Sequence, residues 1–219
     1  MLFRSQNGSG TLSLTKTGSG TLTLSNTANT YTGTTTISAG TLKLGASGVI
    51  ADSSAVSVSG TFDLAGFSEA VGSIAGGGTI TSSTTGAVTL TAGGDNTSTS
   101  FSGVIQNGSG TLSLTKTGSG TLTLSNTANT YTGATTISAG TLKLGASGVI
   151  SDTSAVQIAN GATFDLNSYS ETVASIADVS GNTTGAITLG SGTLTVVGSA
   201  TATFSGVDRK STRLNSSHT

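Results

Sequence analysis

Residues 14–45 read LTKTGSGTLTLSNTANTYTGTTTISAGTLKLG, and residues 114–145 read LTKTGSGTLTLSNTANTYTGATTISAGTLKLG. The longer block Gln6–Ile50 returns as Gln106–Ile150 with a single change, Thr34 to Ala134. Similarity continues more weakly beyond it, in the stretches TTGAVTL at 84–90 and TTGAITL at 183–189, and in FSGV at 101–104 and 204–207. The chain is therefore about two copies of one long unit, 6–105 and 106–207.

A shorter period lies inside this unit. Similar strands begin at Gly20, Gly40 and Gly60, and a second series, at 34–37 and 55–58, returns at nearly the same interval. Two strand series with one interval indicate a coil of stacked rungs, each about 20 residues long. The sequence predicts an all-β, single-stranded β-solenoid over residues 1–207, with roughly ten rungs and a length on the order of 50 Å.

Alternation within each strand predicts which side chains point inward. The predicted inward columns are Leu22, Leu42, Phe62 and, beside them, Leu24, Leu44, Leu64. The same register places Lys43 beside Asp63, and Lys143 beside Asp165, as exposed pairs on the outward side. Each such pair contributes only about a few tenths of a kcal/mol.

Composition excludes several classes of protein. The 219 residues include no Cys, Pro or Trp, only 8% are charged, and the formal net charge is −1. Without a basic patch, nucleic acid is not an expected partner. No apolar run is long enough for a membrane span, so this segment is not expected to insert into a membrane. The missing prolines suit inner strands that must both donate and accept hydrogen bonds.

The chemistry-bearing residues predict no catalytic, cofactor or metal site, and hence a protein that is not an enzyme. His218 is the single histidine, and no P-loop or nucleophile elbow occurs. The remaining candidates are four acids that recur in pairs: Asp63, Glu69, Asp165 and Glu171. They could serve a polysaccharide-acting β-helix enzyme. Duplication also carries such residues along without any activity, and Asp63 has a partner in Lys43.

Two binding alternatives rest on other residues. Asp95, in AGGDNTSTS, resembles part of a calcium-binding nonapeptide, but only one copy occurs and a turn role is favoured. The tyrosines Tyr31, Tyr131 and Tyr169 could form a carbohydrate platform, although packing at turns is favoured for Tyr31 and Tyr131.

Outward threonine columns form a further alternative, a flat array like that of ice-binding solenoids. The candidate pairs are Thr21 and Thr23, Thr34 and Thr36, and Thr193 and Thr195. Such an array needs Thr-x-Thr on successive rungs. Lys43 and Asp63 are expected to interrupt it.

The stretches at 14–45 and 114–145 resemble the autotransporter-associated β-strand repeat. The resemblance is carried by Lys16, the Gly18 and Gly20 pair, Leu22, Leu24, Asn29, Tyr31, Gly33, Thr35, Ile37, Gly40, Leu42, Leu44 and Gly45. It implies a right-handed parallel β-helix in a secreted passenger that is exported across the outer membrane by its own C-terminal translocator barrel. It also implies a stalk or adhesive rod at a Gram-negative cell surface, whose partners are molecules of a host or neighbouring cell, or carbohydrate.

The two ends of the sequence differ from the repeat. Met1–Arg4 is not followed by the apolar core of a signal peptide. After Val207 the repeat stops, and residues 208–219, DRKSTRLNSSHT, are interpreted as a non-native or disordered tail that resembles a translated sequencing adapter, with a short natural basic tail as the alternative. Uncapped solenoid ends favour association between copies of the segment.

Overall fold

The computed structural model describes residues 11–179, 184–198 and 202–209, and every regular element within them is a β-strand. The strands are parallel and stack as a β-solenoid of about 9 turns, with about 21 residues in each turn. The β-solenoid predicted from the repeat is confirmed. Among the described residues no helix is long and apolar enough to cross a membrane.

The strands of the first part are β1 (Leu14–Lys16), β2 (Thr21–Leu24), β3 (Thr35–Ile37), β4 (Thr41–Leu44), β5 (Val56–Val58), β6 (Thr61–Asp63), β7 (Glu69–Val71), β8 (Ile74–Ala75), β9 (Thr79–Ser82), β10 (Ala87–Ala92), β11 (Thr99–Phe101) and β12 (Val104–Gly108). Those of the second part are β13 (Thr111–Lys116), β14 (Thr121–Leu124), β15 (Thr135–Ile137), β16 (Thr141–Leu144), β17 (Ala155–Ile158), β18 (Thr163–Asp165), β19 (Glu171–Val173), β20 (Ser175–Asp178), β21 (Ala186–Thr188), β22 (Leu194–Val196) and β23 (Val207–Arg209).

Three faces surround the core. The first face begins with the sheet β1-β3-β5-β8 and continues, through a bridge between Gly76 and Phe101, into β11-β14-β16-β18-β21-β23. The second face contains β2-β4-β6-β9-β12 and, further along, β19-β22, and the third contains β7-β10-β13-β15-β17-β20. The sequence analysis predicted two strand series, and the third face was not foreseen. In the early turns residues 26–31 and 46–50 lie on that face and form no strand.

The predicted inward columns are confirmed. Leu22 pairs with Leu42, and Leu42 with Phe62, in neighbouring turns. Leu24, Leu44 and Leu64 form the adjacent buried column. Together with the apolar side chains of the other two faces they form one hydrophobic core along the solenoid.

The two near-identical repeats lie on different faces of the solenoid. The segment Leu14–Lys16 is β1 on the first face, whereas Leu114–Lys116 belongs to β13 on the third face. From β1 the chain makes four turns, through β3, β5 and β8 to β11, and then passes β12 to reach β13, two faces later. The second copy is therefore displaced by two of the three faces around the solenoid axis, and the same surface residues point in different directions.

The two similar stretches TTGAVTL and TTGAITL do not occupy equivalent positions in the solenoid. Strand β10, which contains TTGAVTL residues, stacks on β7, whereas β21, from TTGAITL, stacks on β18. Eight residues separate Ala75 from Thr84, but only five separate Ala177 from Thr183. The shorter connection places β21 one face earlier, and β22 takes the position that β10 has in the first copy.

Candidate functional site

The repeat is built around a buried lysine in each copy. Lys16 and Lys116 follow Leu14 and Leu114 by two positions in their strands, so alternation turns both ammonium groups inward. Lys16 Nζ donates to the carbonyls of Thr17 (2.9 Å), Gly18 (2.8 Å) and Ala39 (3.1 Å). We call this arrangement the carbonyl cage. It ties a turn of one rung to the turn of the next.

The second copy reproduces the carbonyl cage on another face. Lys116 Nζ donates to the carbonyls of Thr117, Gly118 and Ala139. Burial lowers the pKa of Lys116, and the nearby Asp95 carboxylate acts in the opposite direction. Three carbonyls satisfy the three donors of the ammonium group, as a buried cation requires.

Tyr31 and Tyr131 are fully buried, which confirms that they pack inside the turns. The Tyr131 hydroxyl lies 2.8 Å from Thr135 Oγ1, which is 3.3 Å from Ser154 Oγ, and Ser154 donates to the Gly133 carbonyl at 2.7 Å. The first copy has the same chain of hydroxyls. Burial also raises the pKa of both tyrosines. Because both side chains are fully buried, neither ring is available to a carbohydrate.

An asparagine replaces strand pairing on the side of each repeat that forms no strand. Asn129 Oδ1 accepts from the Ile105 N–H at 2.8 Å, and its Nδ2 donates to the Val149 carbonyl at 2.8 Å. One side chain thus connects three successive turns. Asn29 donates to the Val49 carbonyl in the same way, at 3.2 Å.

The paired glutamates have a similar role. Glu69 accepts from the N–H groups of Gly48 (2.7 Å) and Ile50 (2.8 Å), in a segment that forms no strand. Glu171 accepts from the Val149 N–H at 2.9 Å. Burial raises the pKa of Glu69, and it raises that of Glu171 to about 7, against the effect of the main-chain donors.

The predicted lysine and aspartate pairs are present, with one correction. Lys43 Nζ lies 3.8 Å from Asp63 Oδ2, and Lys143 Nζ lies 3.6 Å from Asp165 Oδ2. Asp63 was predicted to be exposed, but it is buried. Its carboxylate accepts from the N–H groups of Ala65 and Ser83 and from the Ser83 hydroxyl, which draws it into the turn.

The four acids named as enzyme candidates thus all accept hydrogen bonds from structural donors, since Asp165 accepts from the Asn167 N–H at 2.8 Å.

Asp95, the candidate calcium ligand, also lies in a turn. It accepts from Ser73 Oγ, and from the N–H and hydroxyl of Thr97. Burial alone would raise the pKa of Asp95, but these hydrogen bonds together lower it. Within the described residues no three acids or histidines form a cluster suited to a metal ion.

The outward threonines do not form a continuous array. Thr23, Lys43 and Asp63 occupy one column in successive turns, as predicted, so charged residues interrupt the Thr-x-Thr pattern.

Tyr169 is the exposed tyrosine, at a turn where Phe67 has the equivalent place in the first copy. His218, the residues 210–219 of the predicted tail and Met1–Arg4 lie outside the described residues.

Comparison with known proteins agrees with this geometry. Residues 14–44 and 114–144 each match the family model described as the passenger-associated-transport-repeat. These are the two segments that form the carbonyl cages and the buried tyrosine networks. The chain thus contains two segments that are similar to this repeat.

A longer relative is also similar in sequence. Over 81 residues, or 37% of this chain, it is 38% identical to the protein named Adhesin BmaC autotransporter from Brucella suis biovar 1 (strain 1330). The chain spans about 2% of the length of this relative. No solved structure matches the chain significantly.

Proposed function

We propose that this chain, which carries two passenger-associated transport repeats, is a segment of the surface-exposed passenger of an autotransporter adhesin and forms part of its rod. The observation that carries the proposal is the coincidence of family and fold. The two matched segments, 14–44 and 114–144, are separate parts of one β-solenoid, with residues 45–113 between them, and each contains a carbonyl cage and a buried tyrosine.

The interior explains how such a rod can be stable without a ligand or disulfide. The buried lysine, tyrosine and asparagine of each repeat are hydrogen-bonded to groups in the same turn or the adjacent one. A unit of this kind needs only its neighbours, so folding can proceed turn by turn as the chain emerges from a membrane pore. The role is mechanical, and the acids that would serve an enzyme are used by the backbone.

The partners follow from the same proposal. The passenger would be linked to a C-terminal translocator barrel in the same polypeptide, which exports it across the outer membrane. The rod either presents an adhesive tip or binds host molecules or carbohydrate with its own polar faces. About nine turns at 4.8 Å each account for roughly 40 Å of reach.

Location can be tested on the source bacterium with an antibody raised against the folded 219-residue chain. We expect the antibody to label intact cells as strongly as permeabilised cells, while an antibody against a periplasmic protein labels only the permeabilised ones. Labelling that requires permeabilisation would contradict the proposal.

A further inference from the structure

Between β7 and β17, all of which the structure describes, the third face carries no charged side chain on its outward side. The five strands of this stretch stack in one register, without the bulge that occurs between β9 and β12. One outward column runs through them and reads Ala70, Thr91, Thr115, Thr136 and Gln157. We call its last four residues the polar row. The polar row is an uncharged strip of hydrogen-bonding side chains along the solenoid axis.

The side chains of the polar row are ordered by their neighbours in the sheet. All four are half-buried, and threonine is stiff because its side chain branches at Cβ. Thr136 Oγ1 donates to Gln157 Oε1 at 3.3 Å. Within the described part of the chain the hydroxyls of Thr91 and Thr115 make no hydrogen bond, so both can donate to a ligand and accept from it.

Elsewhere on the surface a lysine and an aspartate interrupt such columns. The interrupted columns are Thr23, Lys43, Asp63 on the second face and Thr123, Lys143, Asp165 on the first. A shorter uncharged row lies earlier on the first face, at Thr15, Thr36 and Ser57. It is the counterpart of the part of the polar row on β13, β15 and β17, and the polar row is longer because β10 extends it.

The dimensions of the strip select the kind of ligand. Five strands at about 4.8 Å cover about 20 Å along the axis, and the neighbouring outward residues Thr89 and Ser113 widen the strip by only about 7 Å. Such a strip has an area of a few hundred Å² at most, whereas a stable protein–protein interface buries about 800 Å² of each partner. The strip is therefore too small for a second copy of the chain, and it suits a long, narrow ligand.

We propose that the polar row binds a neutral, linear polysaccharide, which lies extended along the solenoid axis with one sugar residue on each turn. The hydroxyls repeat at the rung spacing of about 4.8 Å, which is close to the length of one sugar residue in an extended chain. Sugar hydroxyls donate and accept, as threonine hydroxyls do. An anionic polysaccharide would find no cation on this face. The inference rests on the proposed adhesive role and deepens it, because it assigns binding to one polar face of the rod.

Affinity electrophoresis of the full 219-residue chain tests the proposal, in native gels that contain glucomannan or hydroxyethylcellulose, which are neutral, or alginate, which is anionic. Thr115→Glu places a charge in the polar row. Thr123→Glu is the matched control, since Thr123 is also half-buried and outward but belongs to the first face. The double variant Thr36→Glu with Thr115→Glu places a charge in the shorter row as well. Far-UV circular dichroism checks the β-structure of each variant, and Thr115→Val with Thr123→Val replaces the first pair where Thr115→Glu does not fold.

We expect both neutral polysaccharides to retard the unmodified chain and Thr123→Glu equally. Thr115→Glu should raise the dissociation constant at least about fivefold, because the new carboxylate loses water without gaining a cation. The double variant should not be retarded, and alginate should retard none of the proteins. An unmodified chain that neither neutral polysaccharide retards overturns the proposal. Equal retardation of Thr115→Glu and Thr123→Glu overturns it too, as does retardation by alginate of equal strength. Antibody labelling of intact cells tests location separately, so a surface-exposed chain that is not retarded refutes this inference alone.

Discussion

The main-chain N–H of Val149 donates to Oε2 of Glu171 across 2.9 Å, from one turn of the solenoid to the next. A buried carboxylate therefore accepts the hydrogen bond that a strand carbonyl would accept, at a position where the chain forms no strand. The N–H donors of Val149, Ile150 and Thr172 lower the pKa of this carboxyl group, and the negative charge of Asp152 raises it. The charge of Glu171 in turn raises the pKa of Tyr131.

This arrangement predicts that stability falls as pH rises. Burial raises the pKa of Glu171 from 4.5 to about 7, so the folded state holds the proton more tightly than the unfolded chain does. The contribution of Glu171 to the unfolding free energy is therefore fully present below pH 4.5, decreases as pH approaches 7, and levels off above it. Urea denaturation at pH 5 and pH 8 measures the difference.

Substitution identifies the source of this dependence. Glu171→Gln keeps a carbonyl for the Val149 N–H but cannot ionise, so its loss of stability between pH 5 and pH 8 should be smaller than that of the unmodified chain. The double variant with Glu69→Gln should lose still less, because the pKa of Glu69 is raised too. Asp165→Asn, which removes a carboxylate that is not among the groups acting on Glu171, is the control. Equal pH dependence in Glu171→Gln and the unmodified chain would refute this account.

The buried lysines predict a contrast between two residues of the same type. Lys116→Met leaves three buried carbonyls without their donor, which should lower the unfolding free energy by about 1–3 kcal/mol. Lys143→Met removes only an exposed pair with Asp165, and should cost less than about 1 kcal/mol. Denaturant titration at one pH compares them. Equal losses of unfolding free energy would mean that the carbonyl cage stabilises the fold no more than the exposed ion pair does.

Much of the fold could be predicted because the short period and the alternation are independent signals. The return of similar strands at Gly20, Gly40 and Gly60 determines the rung, and alternation then determines the register, which Lys43 and Asp63 confirm. Alternation also contains the signal for buried Lys16, two positions after Leu14. A lysine in an inward position contradicts the usual preference for solvent, so that signal is easily set aside.

The rest depends on lengths and contacts that alternation does not encode. The rotation of the second copy follows from the total number of faces passed between Leu14 and Leu114, and turns of unequal length determine that number. The burial of Asp63 depends on Ser83, which lies in the next turn and belongs to no motif. The roles of Glu69 and Glu171 likewise require knowing which main-chain groups lack a strand partner.

The hydroxyl network predicts a second contrast, between tyrosines. Tyr131→Phe removes one of the two hydroxyl partners of Thr135 Oγ1 in a fully buried site, and should lower the unfolding free energy by about 1–2 kcal/mol. Tyr169→Phe, at the exposed turn, should change it by less than about 0.5 kcal/mol. Thermal and urea denaturation of both variants give the comparison. A larger effect at Tyr169 would contradict the network's structural role.

Two glycines with the same backbone conformation provide the last prediction, because they separate strain from steric conflict. Gly140 and Gly148 have φ values of 64° and 67°, in the left-handed region that side chains disfavour. A Cβ on Gly140 would lie 2.4 Å from the carbonyl oxygens of Gly118 and Gly120, whereas a Cβ on Gly148 would meet nothing within 4 Å.

Gly148→Ala should therefore cost about 1–2 kcal/mol, from backbone strain alone. Gly140→Ala should cost about 1–3 kcal/mol more, because the carbonyl cage around Lys116 has to move to admit the methyl group. Urea denaturation of the two variants measures the difference directly. If the two losses were equal, close packing at Gly140 would not contribute to stability. A larger loss for Gly140→Ala shows that the glycine is required by the turn packed against it, in addition to its own backbone conformation.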